Sequence, residues 1–176
     1  LSIQYSRYIC KTNYTQMNYL ETERLILRPF AEQDAESLFI ILSDVEVNAF
    51  LPMFPLKDIE EAKTYLHEKH TAINSGKTLF YYAICLKDNN IPIGYIHISG
   101  GDSYDLGYGL RKEFWHKGIC SEACRVVIEK LKHIEIPYIT ATHDVNNPRS
   151  GRVMQAIGMK YRYSYNELWQ PKNKWV

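Results

Sequence analysis

The sequence has little net charge and no long hydrophobic run. Its 21 Lys and Arg residues nearly balance 20 Asp and Glu residues, which leaves a formal net charge of +1. Without an excess of one sign, the charge gives no broad argument for binding nucleic acid or an anionic membrane surface. The longest aliphatic and aromatic run, Leu38 to Leu42, is far shorter than the roughly 20 apolar residues of a membrane-spanning helix. We therefore expect neither a nucleic-acid partner nor a membrane partner.

Cysteines are few and are not arranged as a metal site or as a disulfide framework. Cys10, Cys85, Cys120 and Cys124 form no CxxC pair and no Cys/His spacing typical of zinc. A chain of 176 residues, 45% of them apolar, supplies a core without disulfide staples. The sequence therefore predicts no metal and a reducing, cytoplasmic environment.

The chain contains no internal repeat and no Pro- or Gly-rich linker. We interpret residues 19–176 as a single domain. Residues 1–18 are polar and aromatic without the apolar core of a signal peptide, and we treat them as an N-terminal extension to which no role is assigned.

Hydrophobic periodicity predicts an α/β sandwich with a mixed, mostly antiparallel sheet flanked by helices. The predicted elements, in order, are an edge strand over 23–30 that stops at Pro29, helices over 31–42 and 57–72, an antiparallel meander over 79–86, 93–99 and 104–110, a helix over 120–132, a strand over 138–142, a helix over 148–157 and a hairpin over 160–169. The helix over 120–132 carries an apolar face that we extend to Ile134. The apolar loop from Asp44 to Pro55 either walls a pocket or packs beneath the helices.

The segment after the third meander strand has the composition of an anion site. The strand ends in Gly107-Tyr108-Gly109-Leu110, and small residues, Gly118, Cys120 and Ser121, follow at the start of a helix. Free amides and the positive end of a helix dipole hold a pyrophosphate where no bulky side chain blocks the approach. Lys117 and His116 add donors.

Two other interpretations of this segment bear on the prediction. No GxxxxGK[ST] occurs in the chain and no GxGxxG follows this strand, which disfavours a mononucleotide kinase. The simpler alternative is that Gly118 only ends a tight loop and Ser121 caps a helix.

Residues 110–123 resemble the acetyl-CoA signature of the GNAT acetyltransferases, an [Arg/Gln]-x-x-Gly-x-[Gly/Ala] loop that follows a strand-ending aliphatic residue. They are most similar to the branch that acetylates ribosomal-protein N-termini, because Trp115 supplies an aromatic at the first loop position and Glu-Ala follows the loop. Cys120 stands where Gly or Ala is usual. Residues 21–30 and 147–150, the latter followed by Ile157-Gly158-Met159, resemble two further motifs of that branch.

The resemblance implies that the strands before the loop and before Asn147 splay apart to admit the pantetheine arm of acetyl-CoA. Glycines 107 and 109 suit a close approach, or else weaken a sheet edge. Asn147 before Pro148 is also a good N-cap. The implied cofactor contacts are Gly109, Leu110, Trp115, His116, Lys117, Gly118, Ile119, Cys120, Ser121 and Asn147.

Forming an amide from a thioester requires a neutral amine, a stabilised oxyanion and a proton for the leaving thiolate. Met154 stands where many GNAT enzymes have an acidic tyrosine. The resemblance makes Ser150 the candidate donor to the thiolate and Asp105 the candidate base, with His97 and His143 as alternatives. A dedicated base is dispensable for a peptide N-terminus, whose pKa of roughly 8 leaves about a tenth of it neutral near pH 7, against well under a thousandth of a lysine.

The sequence therefore predicts an acetyl-CoA-dependent N-acetyltransferase in which a primary amine attacks directly in a ternary complex. A protein N-terminus is the favoured acceptor, and aminoglycosides or polyamines are alternatives that Asp44 and Glu46 would attract. A non-catalytic acyl-CoA-binding module is the alternative from another class. The resemblance does not fix the oligomeric state, and a homodimer is one possibility.

Overall fold

The computed structural model describes residues 19–133 and 136–176. Residues 1–18, including Cys10, and the predicted contribution of Ile134 lie outside the described residues. The strands are β1 (Leu20–Glu21), β2 (Leu25–Pro29), β3 (Thr78–Leu86), β4 (Pro92–Ser99), β5 (Leu106–Leu110), β6 (Leu168–Trp169) and β7 (Lys174–Trp175). The helices are α1 (Ala35–Ser43), α2 (Val45–Asn48), α3 (Ile59–Asn74), α4 (Ile119–Leu131) and α5 (Pro148–Ala156).

Five strands form one antiparallel sheet in the order β1-β2-β3-β4-β5. A parallel bridge between Asp105 and Thr140 extends the sheet beyond β5. The α/β class with a mixed, mostly antiparallel sheet is confirmed. The prediction that residues 23–30 form the edge is wrong, because β1 pairs with the outer side of β2.

The two faces of the sheet are covered by different helices. On one face, α1 and α3 contribute Leu38, Leu42 and Leu66 to a core that includes Tyr81 and Tyr95. On the other face, the buried side of α4 packs against residues of β3, β4 and β5. Side chains of a strand alternate between faces, so β5 directs Tyr108 and Leu110 toward α4, and Asp105, Gly107 and Gly109 toward the opposite face.

Capping explains why most predicted helix boundaries agree with the structure. Asp58 accepts a hydrogen bond from the Glu61 amide at 2.8 Å and begins α3, while Asn147 caps α5 ahead of Pro148. The helix predicted from residue 31 starts later, at Ala35. The Asp34 carboxylate forms a buried ion pair with Arg28 at 2.6 Å, and residues 32–34 form a 3₁₀ turn instead.

The C-terminal region differs from the prediction. Residues 160–166 form no strand and are exposed, and the hairpin consists of β6 and β7. At its turn, the Lys172 ammonium donates to the Asn48 and Leu51 carbonyls, each at 2.8 Å, and to Asn48 Oδ1 at 3.0 Å. The strand predicted at 138–142 is reduced to the single bridge at Thr140.

The loop from Asp44 to Pro55 contains α2 and mainly packs against the core. This was one of the two predicted alternatives. Leu51 and Met53 contact the core on the α1 and α3 face, whereas Phe54 is exposed. Within the described ranges, none of the helices combines the length and apolar character needed to cross a membrane.

Candidate active site

Among the described residues, nothing continues the hydrogen-bonded sheet along the outer edge of β5 beyond Leu106, and we call the space beside this edge the cleft. The Leu106 amide donates to the Thr140 carbonyl at 2.8 Å, and the Thr140 amide donates to the Tyr104 carbonyl at 3.2 Å. Beyond Leu106, no backbone hydrogen bond joins β5 to residues 141–147, all of which are described. Alternate residues of a strand direct their backbone groups to the same side, so the backbone of Tyr108 and Leu110 faces this cleft.

Gly109 has a different role from the one its sequence context predicts. Its backbone pairs with Tyr95 of β4, so it does not face the cleft beside β5. A Cβ on Gly109 would lie 2.6 Å from the Tyr95 ring, and one on Gly107 would lie 2.1 Å from His97 Nε2. The close approach that these glycines permit is therefore made by aromatic side chains of β4.

The start of α4 lies at the mouth of the cleft. Gly118 is the N-cap residue and has φ of +74°, a left-handed conformation in which glycine is favoured. Because glycine has no side chain, the cap residue leaves the amides of the first turn available. Among the described residues, a Cβ at this position would approach only Arg24 Nη2, at 3.9 Å, so these residues leave the space beside Gly118 open. Ile119 is buried in the core, which leaves only its backbone for a ligand.

Hydrogen bonds from Thr22 and Arg24 fix the loop before α4, and the sequence analysis did not predict these contacts. The Arg24 guanidinium contacts the Glu122 carboxylate at 2.6 Å and donates to the Lys117 carbonyl at 3.1 Å. Thr22 Oγ1 also donates to Glu122. Burial alone would raise the pKa of Glu122, but the hydrogen bonds from Thr22 and Arg24 outweigh it and the pKa lies below its usual value. Thr22 and Arg24, which belong to the motif over residues 21–30, thus hold Glu122 and the loop before α4 in place.

Trp115 stands between the loop and α5. Its indole Nε1 donates to the Leu110 carbonyl at 2.9 Å, which fixes the ring against the end of β5. The guanidinium carbon of Arg149, in the first turn of α5, lies 5.5 Å from the ring centroid. Trp115 thus joins the two walls of the cleft.

The structure brings Ser150 and Asn147 to the cleft wall that α5 forms. Asn147 Oδ1 accepts a hydrogen bond from the Ser150 amide at 3.4 Å. The Tyr108 hydroxyl lies 3.0 Å from Ser150 Oγ and donates to the Ser150 carbonyl at 2.9 Å. Burial raises the pKa of Tyr108 above its usual value, so the phenol is protonated at neutral pH. No local pattern in the sequence indicated Tyr108.

The three candidate bases lie in different places, and only His143 contacts α5. Asp105 stands at the far end of β5 from the loop, where its Oδ1 accepts a hydrogen bond from Thr140 Oγ1 at 3.2 Å, and burial raises its pKa. His97 packs on Gly107 among the aromatic rings of the opposite sheet face, and burial, followed by the nearby charge of Lys69, lowers its pKa to about 4. The His143 ring contacts Gly151 of α5 and its Nδ1 lies 2.9 Å from the Asp144 carbonyl.

Comparison with known proteins assigns the family. A family model described as an acetyltransferase (GNAT) domain matches residues 24–160, well over half of the chain. The chain belongs to the GNAT acetyltransferase family. This family uses acetyl-CoA, and the chain is accordingly an acetyl-CoA-dependent acyltransferase.

Individual relatives of this GNAT acetyltransferase extend along most of its length. The uncharacterized N-acetyltransferase YnaD of Bacillus subtilis (strain 168) is 27% identical over 161 residues, which cover 89% of this chain and 91% of the relative. A GNAT-family acetyltransferase from Bacillus anthracis is 26% identical with a TM-score of 0.71, over 84% of this chain and 86% of that chain.

RimL, a ribosomal L7/L12 alpha-N-protein acetyltransferase solved with coenzyme A, shares the fold of this GNAT acetyltransferase. Its TM-score is 0.72 at 18% identity, over 80% of this chain and 83% of that chain. The resemblance that the three sequence motifs indicated is thereby confirmed at the level of family and fold. The motifs were sufficient to recognise the family because each is a short local pattern. The contacts of Arg24, Tyr108 and Arg149 could not be recognised in this way, because they join segments that are distant in the sequence.

Proposed function

We propose that this protein transfers an acetyl group from acetyl-CoA to a primary amine by direct attack in a ternary complex, within a domain formed by residues 19–176. One observation carries the proposal. The uncapped start of α4 at Gly118 lies at the mouth of a cleft whose walls are the unpaired side of β5 and the first turn of α5. A pyrophosphate and an extended arm require these two features side by side.

The cofactor contacts follow from the directions of the backbone groups. The amides at the start of α4 point out of the helix toward a pyrophosphate, as at other helix N-termini that bind anions. The arm pairs with the cleft-facing backbone of Tyr108 and with the Leu110 amide. The Leu110 carbonyl is occupied by Trp115. Asn147 contributes chiefly by holding the start of α5.

As the C–N bond to the amine forms and the C–S bond breaks, the Ser150 hydroxyl is proposed to donate a hydrogen bond to the leaving thiolate, which then takes its proton from water while serine keeps its own. Tyr108 holds Ser150 in place, since its hydroxyl contacts both the carbonyl and Oγ of that residue. The phenol proton is already engaged, because the Tyr108 hydroxyl donates it to the Ser150 carbonyl at 2.9 Å. Ser150 is therefore the group that contacts sulfur, and Tyr108 is the residue that positions it.

The amine is proposed to lose its proton at the sheet face opposite the one that Tyr108 and α4 occupy. Asp105 and His97 belong to that side, as the alternation along β5 and the contact of His97 with Gly107 indicate. A histidine with a pKa of about 4 is neutral near pH 7 but is a weak base. We propose Asp105, acting through water, as the proton acceptor.

A protein N-terminus is the proposed acceptor class. An α-amine, with a pKa of roughly 8, reacts without the strong base that a lysine or a polyamine needs. Asp44 and Glu46, which would attract a polycationic acceptor, are both engaged by Lys112, at 3.6 and 2.9 Å. This engagement favours an N-terminal peptide over an aminoglycoside. A reducing, cytoplasmic setting is part of the proposal and accords with free thiols at Cys85, Cys120 and Cys124.

Thiol release from acetyl-CoA, measured with an amine panel, tests the proposal. The panel contains peptides with a free N-terminus, the same peptides with a blocked N-terminus and an internal lysine, an aminoglycoside and a polyamine. We expect release with the free α-amines and intersecting initial-velocity lines when both substrates are varied. Parallel lines would contradict direct attack. Tight CoA binding without release by any amine would favour the non-catalytic alternative.

A further inference from the structure

The arginines that border the cofactor loop differ in how their charges are compensated. Arg24 pairs with Glu122, and Arg111 pairs with Glu113. Arg149 makes no ion pair with any carboxylate in the described parts of the chain. Its guanidinium is exposed and rests on the Trp115 ring instead. Arg149 therefore carries an uncompensated positive charge directly at the loop.

The position of this charge in α5 is unfavourable for the protein alone. Pro148 is the first residue of α5 and Arg149 is the second, so the guanidinium lies at the positive end of the helix dipole. No acidic residue occupies the first turn of α5 to offset it. Cations are favoured at the opposite, C-terminal end of a helix. An anion bound between α4 and α5 would reverse this disadvantage.

The Trp115 ring gives the guanidinium a defined place. The indole is fixed by its hydrogen bond to the Leu110 carbonyl, and the guanidinium carbon lies over its ring at 5.5 Å from the centroid. A cation–π contact of this kind uses none of the N–H donors of the guanidinium. Those donors form the planar fork that suits phosphate oxygens. On the loop side, the Lys117 ammonium lies 5.4 Å from the Phe114 ring centroid and adds a second cation.

We infer that Arg149, held over the Trp115 ring, binds a phosphate group of acetyl-CoA from the side of α5, across from the start of α4. The inference rests on the proposed function for the identity of the ligand. It assigns to the side of α5 a phosphate contact that the loop motif alone does not contain. The contribution of Arg149 to affinity therefore depends on the phosphates of the cofactor and not on its pantetheine arm.

Binding measurements by calorimetry separate this inference from a general structural role. Arg149→Ala and Arg149→Gln are compared with the wild type, using CoA, dephospho-CoA and pantetheine as ligands. Arg152→Ala is the matched control, because Arg152 is an exposed arginine on the same helix. Tryptophan fluorescence with and without Trp115→Phe reports whether the stacked ring senses the bound ligand.

We expect both Arg149 variants to weaken CoA binding by roughly 10- to 100-fold, the range for a lost charged hydrogen bond, while Arg152→Ala stays near the wild type. Pantetheine, which lacks phosphates, should bind the wild type and the Arg149 variants equally. A loss that disappears with dephospho-CoA assigns the contact to the 3′-phosphate, and a loss that persists assigns it to the pyrophosphate.

Two results would overturn the inference. One is wild-type affinity for CoA in both Arg149 variants. The other is an equal loss for CoA and pantetheine, which would indicate a disturbed fold or cleft. A wild-type protein that fails to bind CoA at all would instead refute the proposed function, so the two failures are distinguishable.

Discussion

The hydroxyl of Tyr108, on β5, lies 3.0 Å from Ser150 Oγ, on α5, and donates to the Ser150 carbonyl at 2.9 Å. This contact spans the cleft wall beside the unpaired part of β5. It links the candidate acid to the strand whose backbone faces the cofactor arm. The orientation of the Ser150 hydroxyl is therefore set by two elements rather than by α5 alone.

Replacing Tyr108 by Phe should lower kcat by about 10-fold, because one neutral hydrogen bond that orients Ser150 is lost while the ring remains. KM for acetyl-CoA should change little, since the backbone of residue 108 is unchanged. Steady-state kinetics check this split. Tyr161→Phe, at an exposed position, is the control and should behave as the wild type.

Replacing Ser150 by Ala should lower kcat by about 100-fold or more, the lower end of the range for losing a hydrogen-bond donor aimed at charge that develops in the transition state. In the double variant with Tyr108→Phe, the second change should add almost nothing, because Tyr108 acts through Ser150. Undiminished turnover in Ser150→Ala would remove that residue from the donor role. Additive losses would show that Tyr108 acts by another route.

Replacing Gly118 by Glu should weaken CoA binding by more than about 100-fold, because a carboxylate would enter the open space where a pyrophosphate binds. The left-handed backbone adds about 1–2 kcal/mol of destabilisation. Gly76→Glu is the matched control, since Gly76 has the same φ of +74° and open space around it. Calorimetric titration and thermal unfolding of both variants separate the ligand effect from the backbone effect.

The stability of the protein should fall as the pH is lowered from about 6.5 to 4 through the titration of His97. Burial lowers the pKa of folded His97 to about 4, whereas the unfolded chain takes up a proton near 6.5. In this window the unfolded state binds more protons, so the loss reaches about 3 kcal/mol at most. Urea unfolding at several pH values should show a flatter profile for His97→Gln.

His67→Gln, which removes an exposed histidine of α3, is the control for that experiment. An unchanged profile in His97→Gln would contradict a neutral, buried imidazole at this site. The difference between pH values is the relevant quantity, because His97→Gln also alters packing against Tyr95 at every pH.

The helices and the meander could be predicted from the sequence because their signals are local. Asp58 and Asn147 mark two helix starts, and turn residues separate β3, β4 and β5. The predicted hairpin over 160–169 failed because alternation at Tyr161, Tyr163 and Tyr165 records β-propensity without supplying a partner strand. The observed hairpin lies further along, where Lys172 docks on the loop that contains Asn48.

The site could be predicted only as far as its motifs extend. The loop from Trp115 to Ser121 and the residues Asn147 and Ser150 are short patterns, so the sequence alone could nominate them as candidate site residues. The contacts of Tyr108 with Ser150 and of Arg149 with Trp115 depend on how α5 packs beside β5 and α4. The reason for glycine at positions 107 and 109 could be recognised only from the strand register, which places His97 over Gly107 and Tyr95 over Gly109.

If the proposed function is correct, acetyl-CoA and a primary amine react in this cleft. The decisive experiment is mass spectrometry after incubation with acetyl-CoA and a mixture of free and N-terminally blocked peptides. We expect one added acetyl group on the free α-amine, absent without the protein and strongly reduced with Gly118→Glu or Ser150→Ala. Tight CoA binding with no acetylated peptide or small amine in any mixture would contradict it.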